Sequence, residues 1–386
     1  MDNEIYDIAI IGGGPAGSAA SIFLAKGGLK VCLFEKKRFP RETLCGEFLS
    51  KEVIDIIKEL KLFEKFLAFH PNKIDSFRLI NDNGKEISAN LNFHAYGLRR
   101  STLDNLLLNE AIKNGVKVFQ PFEIIRVENI GNDFLLSAQN DVIDYSYFKS
   151  KFVISAYGKQ STLDQTFHRN FIKRKSFLNG VKFHIPKSEL NYNMPNEIRI
   201  FLSNGIYCGM NEVDNDIVTL CFLENRMILK NTSRSNLIEC VSRNKMLKNI
   251  IPDSIIAKLN KLPAYGNSNI YFGKRKLIEN GTFMIGDAGG IIAPIAGDGI
   301  GMALQSGKLI ADVLLKSKKE NLSLNEAQML YQNSWQKLFS KRIYYGLFIQ
   351  KILLESRLKN LAINFVYSFP FVLPKLIDST RSNSIF

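Results

Sequence analysis

The stretch from Ile5 to Glu35, IYDIAIIGGGPAGSAASIFLAKGGLKVCLFE, decides the fold. Ile5 to Ile11 is a nearly continuous apolar run, the pattern of a strand buried on both faces of a parallel sheet. It leads into Gly12-Gly13-Gly14-Pro15-Ala16-Gly17 and then into a small-residue helix from Ser18 to Lys26. Gly27-Gly28 makes a turn, and a second apolar strand, Leu29 to Phe34, ends at Glu35. Strand, glycine turn, helix, strand and acid stand in the order that a dinucleotide-binding unit requires.

Each residue type has a physical reason. Gly12 permits the tight turn out of the strand, where a Cβ would be strained. Gly14 lets a pyrophosphate approach the backbone, and Gly17 lets the helix pack closely on the sheet. Pro15 and Ala16 continue the turn toward the helix, whose N-terminal N–H groups and positive dipole end suit phosphate. Glu35, at the tip of the second strand, is placed to accept hydrogen bonds from a ribose diol.

A chain of 386 residues suggests two or three domains and is ample for a core. The 51 basic against 37 acidic residues give a formal charge of +14, which suits an anionic partner. The lysines are scattered and no nucleic-acid motif is present, so nucleic acid is not expected. An anionic substrate, a carrier or a membrane surface stays open. Five cysteines without a CxxC pair or zinc spacing fit a reducing cytosol, so a cytoplasmic protein is expected. The four histidines are dispersed and form no ligand pair, so no metal site is expected. Ile8 to Ala25 is largely apolar, but Asp2, Glu4 and Asp7 precede or open it and GGGP breaks it, so it does not read as an export signal. No apolar run reaches the length of a transmembrane helix.

Beyond Glu35 lies a basic, turn-rich loop from Lys36 through Arg41 and Cys45 to Glu47. A helix is expected from Ser50, as N-cap, to about Phe69. Short strands at 73–97 surround the Asn81-Asp82-Asn83-Gly84 turn, and a helix opens at Leu98-Arg99-Arg100 and runs to about Asn114. Strands are expected at 116–128, 133–138, 142–148 and 152–156, then four between Phe177 and Leu223, followed by a polar helical stretch at about 234–260. Thr282 to Ile285 is a short strand before Gly286-Asp287-Ala288-Gly289-Gly290, and Gly297-Asp298-Gly299-Ile300-Gly301 opens a long helix to about Leu315. In the helical remainder, Tyr331, Trp335, Leu338 and Ile343 recur at core spacing. The tail from Leu361 to Ile377 is rich in Phe, Leu, Val and Pro.

The N-terminal glycine turn, Arg100 opening a helix in an RxxLD pattern, and Gly286-Asp287 together resemble the FAD-binding oxidoreductases of the p-hydroxybenzoate-hydroxylase fold. The resemblance covers roughly residues 3–315. Within that class, GDAGG…P…GDGIGMALQSG and Leu44-Cys45-Gly46-Glu47 are most similar to the geranylgeranyl reductase-like branch. It implies an α/β fold: a discontinuous Rossmann-like FAD-binding domain (1–72, 96–172 and 266–320), an inserted β-sheet substrate domain (73–95 and 173–265) and a C-terminal helical region (321–386). It implies FAD held at the ADP half by Gly12, Gly14, Gly17 and Glu35, with Pro15, Ala16 and Lys36 beside them, Arg41 contacting FAD or an anionic substrate, Arg100 near the pyrophosphate or ribityl chain, and Gly286 and Asp287 at the ribityl hydroxyls. Gly299 and Ile300 would point a helix N-terminus at the flavin N1–C2 edge.

The implied reaction is hydride delivery from reduced flavin to a double bond of a hydrophobic prenyl, polyene or polyketide-like substrate, anionic or carrier-bound. The alternatives are an FAD monooxygenase that hydroxylates or epoxidises, and a flavin-binding module without turnover. Cys45 would line the flavin face or substrate cavity, weighed evenly against a small apolar packing residue, and Glu47 is weighed as a proton donor against a surface-loop carboxylate, with the latter preferred. Tyr157-Gly158 replaces the family's Asp-Gly, which puts in question NAD(P)H as the candidate electron donor. The tryptophan-containing halogenase motif is absent, Trp335 being the single tryptophan. The apolar tail is expected to pack over the substrate domain, the alternative being peripheral membrane contact.

Overall fold

The computed structural model describes residues 4–142, 145–191, 196–354, 356–369 and 371–381. Ile5–Ile11 is a strand whose inner residues are buried on both sides. It lies parallel between Val31–Phe34 and Ser146–Ser155, with Ile10 opposite Leu33 and Ile154. Lys117–Phe119 and Thr282–Met284 extend the parallel sheet at either side. Burial on both faces is what the unbroken Ile/Val/Leu runs require. A hairpin, Glu123–Asn129 with Phe134–Gln139, hangs from Ser146–Ser155. That strand is continuous where the sequence suggested separate strands at 142–148 and 152–156; residues 143–144 lie outside the described ones.

The helix Pro15–Lys26 packs against the helix Gly299–Glu320, and glycines set how close they come. A Cβ on Gly307 would stand 2.5 Å from the Ala16 carbonyl oxygen, and one on Gly17 would stand 1.9 Å from that of Gly12. Gly12 itself has φ +109°, a conformation that side chains disfavour. These contacts press the two helices and the first strand into one layer around the turn.

A second sheet runs in the order Tyr265–Asn267, Leu178–Pro186, Ile217–Asn225, Ile206–Glu212, Glu197–Ser203, Asn72–Ile80, Glu86–Gly97 and Phe48–Leu49. It is antiparallel except where Glu197–Ser203 meets Asn72–Ile80. One face packs Phe183, Phe201 and Phe222 under the helices Ser233–Arg243, Lys245–Ile250 and Asp253–Lys258. The polar stretch read as one helix is thus three, divided at Asn244, which caps the second with its side chain, and at Pro252, which lacks the N–H a continuing helix needs. The other face meets the C-terminal helices Leu324–Leu354, Ser356–Ser368 and Val372–Ser379.

Two further expectations change. The helix from Ser50 is broken into Lys51–Glu59 and Phe63–Leu67, because Lys61 takes a left-handed φ of +60° and buries Leu62. Ser50 stands at the N-cap position, but its hydroxyl donates to Asp298 Oδ1 at 3.0 Å instead of capping. Tyr331, Trp335 and Ile343 are buried, and Leu338 packs against the same core. In the apolar tail, Pro374 lies inside the helix Val372–Ser379, and Pro370 lies outside the described residues.

Candidate active site

A cleft of about 1140 Å³ opens between the two sheets. It is larger than an ordinary small-ligand pocket of about 300–1,000 Å³, and room for a dinucleotide and a substrate together is what such a size provides. Gly12, Gly14, Pro15 and Ala16 line one end. A Cβ on Gly14 would find nothing nearer than Arg41 Nη2 at 3.9 Å. Its φ is −70°, so neither packing nor backbone conformation demands glycine there. What remains is the close approach of a ligand. Gly299 repeats the pattern at the other wall, with Ile292 Cγ2 at 3.9 Å as its nearest neighbour.

Glu35 is buried at the rim. It accepts from the Gly13 N–H at 2.9 Å and from the Lys37 N–H at 3.0 Å. Arg41 stands 3.4 Å from Glu35 and 3.7 Å from Asp104, with its guanidinium over the Phe39 ring. Arg41 Nε is buried without a hydrogen-bond partner, as befits a cation turned toward an anionic ligand. Lys36 lines the same end.

Arg100 opens its helix and forms two 2.9 Å bonds to Asp104, one turn on. The Asp104 carboxylate and the Cys45 sulfur beside it raise its pKa against the burial that would lower it. Cys45 is half-buried on the cleft wall, and its sulfur accepts from the Glu47 N–H at 3.3 Å.

Gly286-Asp287 forms the floor. Gly286 has φ +58°, and its would-be Cβ lies 2.9 Å from that of Ala16, so the two glycine turns touch. Asp287 pairs with Lys159 at 3.2 Å. Tyr157 replaces the family acid, and a carboxylate is nonetheless close by. Tyr157 donates to Asp164 Oδ1 at 2.8 Å and accepts from Arg169 at 3.0 Å, and Arg169 donates to the Ala288 carbonyl at 2.8 Å. The substituted tyrosine therefore ties the end of the 146–155 strand to the Gly286–Ala288 turn. Burial raises the Tyr157 hydroxyl pKa, so it stays a donor.

The helix Gly299–Glu320 points its N-terminus into the cleft through Gly299 and Ile300. Asp298, just before it, also borders the cleft and is buried among Ser50, Arg342 and Arg381. Both arginines come from the C-terminal region.

The least expected feature is Glu47. Its carboxylate is fully buried, which corrects the surface-loop reading. Glu47 has φ +58°, a costly conformation for a side chain, and it is held there by donors from the second sheet and from the start of the Arg100 helix. Lys182 Nζ lies 2.7 Å away, His184 Nε2 2.6 Å and Thr219 Oγ1 2.5 Å, and the Arg100 N–H donates at 2.9 Å. Hydrogen bonds from His184 and the Lys182 charge outweigh the raising effect of burial and hold the Glu47 carboxyl down at about 2. An ionised group of this kind does not act as a proton donor near neutral pH, so that role is withdrawn. Glu42, Glu47 and His184 place ligand atoms within 4.8 Å of one another. The Lys182 ammonium bonds both carboxylates at 2.7 Å, which makes the cluster an internal ion pair.

Sequence reading missed Lys182, His184, Thr219, Lys159, Asp164 and Arg169. The alternation of Gly180, Lys182 and His184 on one strand face was a visible signal, since a strand places every second residue together. Nothing in the sequence paired that face with Glu47.

A parallel sheet with a glycine cradle, an acid at the second strand tip and a second glycine-aspartate turn beneath define an FAD-dependent oxidoreductase. The chain belongs to the FAD-binding domain family, whose model matches residues 5–321. It is 26% identical over 364 residues to the digeranylgeranylglycerophospholipid reductase of Methanocaldococcus jannaschii, covering 91% of this chain and 87% of that one. It is 25% identical over 341 residues to a tryptophan 2-halogenase of Chondromyces crocatus, covering 85% of this chain and 65% of that one. The fold matches a geranylgeranyl bacteriochlorophyll reductase-like structure from Thermoplasma acidophilum with a TM-score of 0.79 at 19% identity, covering 97% and 99% of the two chains.

Proposed function

We propose that the enzyme saturates a double bond of a hydrophobic prenyl, polyene or polyketide-like substrate. The carrying observation is the two-part cleft, in which the glycine cradle opens into a wall of Leu44, Phe48, Ile200, Tyr207, Leu223 and Ile292. Bound FAD, once reduced, supplies the hydride. Gly14 and Gly299 leave space for it, Glu35 and Arg41 hold its ribose and phosphate end, and Gly286 and Asp287 hold its middle. The apolar wall orients the substrate and excludes water.

The second half of the reaction needs a proton. With Glu47 held as a carboxylate and Cys221 pushed up to about 12 by burial, Cys45 is the proposed donor. Its sulfur faces the cleft beside Arg100. Lys36, Lys37, Arg174 and Lys175 also line the cleft and suit an anionic or carrier-borne head group. NAD(P)H is the proposed electron donor, and a reducing cytoplasm suits the five free cysteines.

Against halogenation stands the absence of the tryptophan-containing halogenase motif from the sequence. Trp335, the single tryptophan, is buried against Gly290 far from any role in a substrate motif. The test incubates the reduced enzyme with polyprenyl substrates, in parallel without oxygen and in air, read by mass spectrometry and oxygen consumption. A product richer by one hydrogen molecule supports the reading. Substrate-dependent oxygen uptake with an oxygenated product, and no saturated one, overturns it in favour of a monooxygenase.

A further inference from the structure

The outer surface of the C-terminal helices is apolar where a helix facing water carries polar residues. On Leu324–Leu354, the residues Lys341, Tyr344, Tyr345, Phe348 and Lys351 are all exposed and recur three or four apart along one face. The result is an aromatic stripe with a cation at each end. Beyond it, Phe365, Phe369 and Phe371 form a chain of rings with centroids 5.1 and 6.1 Å apart. These rings, with Leu361 and Tyr367, are between 45% and 67% exposed. Lys85 lies 4.0 Å over the Tyr367 ring and Lys375 5.7 Å over that of Phe371.

The inner faces of the same helices are already satisfied. Ile363, Val366 and Leu373 are buried in one cluster with Leu79 and Leu202 of the second sheet. The exposed rings are therefore surplus to the fold. Leu361–Ser368 and Val372–Ser379 together have the length and composition of a span but are bent by 117°. That bend suits a pair lying in a membrane interface, with aromatic rings at headgroup depth and lysines beside them.

Charge decides the occupant. Among the described side chains between Lys337 and Arg381, Lys337, Lys341, Lys351 and Lys375 are exposed against the single exposed acid Asp378, while Arg342, Lys359 and Arg381 are paired inward with Asp298 or Asp82. A second copy of the chain would set this positive surface against itself, whereas anionic lipid neutralises it. Beneath the face lies an apolar cavity of about 180 Å³, lined by Phe348, Val366 and Leu373 and sharing Phe48, Ile200 and Pro294 with the main cleft. From these observations we propose that the C-terminal helices dock the enzyme on an anionic lipid bilayer, with the apolar cavity set between that surface and the active-site cleft. The proposal stands on the surface itself and does not depend on the reaction assigned above.

The test is co-sedimentation of the full-length, FAD-loaded protein with vesicles of phosphatidylcholine containing about one third phosphatidylglycerol, against phosphatidylcholine alone. Binding is expected to the anionic vesicles and to weaken with salt. Phe365→Ser with Phe371→Ser is expected to weaken it about 10-fold or more, with flavin absorbance and Tm retained. Lys341→Glu with Lys351→Glu is expected to weaken it while leaving the rings in place. Absence of binding to anionic vesicles overturns the proposal, as does undiminished binding of both variants. A concentration-dependent dimer that the Phe variant abolishes, without vesicle binding, assigns the face to a second copy and also overturns it.

Discussion

The Glu47 carboxylate and the Lys182 ammonium stand 2.7 Å apart, both side chains wholly shielded from water, at the seam between the flavin-binding sheet and the second sheet. Residues 135 positions apart thus meet behind the cleft wall that Glu47 lines. Removing one partner leaves the other as an uncompensated buried charge, which costs about 3–5 kcal/mol. Glu47→Ala is expected to lose stability of that order in urea unfolding. Combining it with Lys182→Met should cost clearly less than the sum of the two single changes, and a strictly additive result would contradict the pairing.

The same pair sets an acid limit. Glu47 has a folded pKa of about 2, below its ordinary 4.5, so the unfolded chain takes up this proton first. Its stabilisation is complete above about pH 4.5, declines as the pH falls, and is gone below about pH 2. The size is on the order of 3 kcal/mol. Glu47→Gln should flatten the decline of Tm between those values, measured in matched buffers.

Gly14 and Gly17 lie one helical turn apart and should fail in opposite ways. A Cβ at residue 17 would stand 1.9 Å from the Gly12 carbonyl oxygen, so Gly17→Ala is expected to lower Tm sharply. A Cβ at residue 14 meets only open cleft, so Gly14→Val is expected to keep Tm in the ligand-free protein and to weaken FAD binding by about 10-fold or more. Flavin titration and thermal unfolding of both variants separate the two roles.

Tyr157 bonds both Asp164 and Arg169, which also pair directly at 3.2 Å, and Arg169 holds the Ala288 carbonyl. Tyr157→Phe removes one buried hydroxyl and is expected to cost about 1–3 kcal/mol. Because the Gly286–Ala288 turn depends on that arginine, FAD affinity should fall with it. Unchanged Tm together with unchanged FAD affinity would mean that the hydroxyl does not support the turn.

Asp298 neutralises Arg342 and Arg381 immediately before the helix that faces the cleft. Burial holds both arginines below their ordinary pKa, opposed by the nearby Glu52 carboxylate, and Asp298 lies against both. Asp298→Asn is expected to loosen the C-terminal helices, seen as faster limited proteolysis after residue 354.

Local sequence determined what short-range rules can carry. The apolar strand, the glycine turn and the acid at residue 35 are neighbours in the chain, and each obeys a steric or dipolar constraint that acts within a few residues. The second glycine-aspartate turn was legible for the same reason, and so was the burial of Tyr331, Trp335 and Ile343 by periodicity. The break of the helix after Ser50 was not, because it turns on the left-handed Lys61 and on burial of Leu62, which the periodic pattern does not report. Glu47 looked like one more carboxylate in a polar loop. Its meaning came only when the fold set Lys182, His184 and Thr219 around it, since a charge costs or stabilises according to what surrounds it in space. The sequence by itself determined the cofactor's cradle. The tertiary structure alone decided the chemistry of the opposite wall and which side of the C-terminal helices faces outward, because both depend on contacts between residues far apart in the chain.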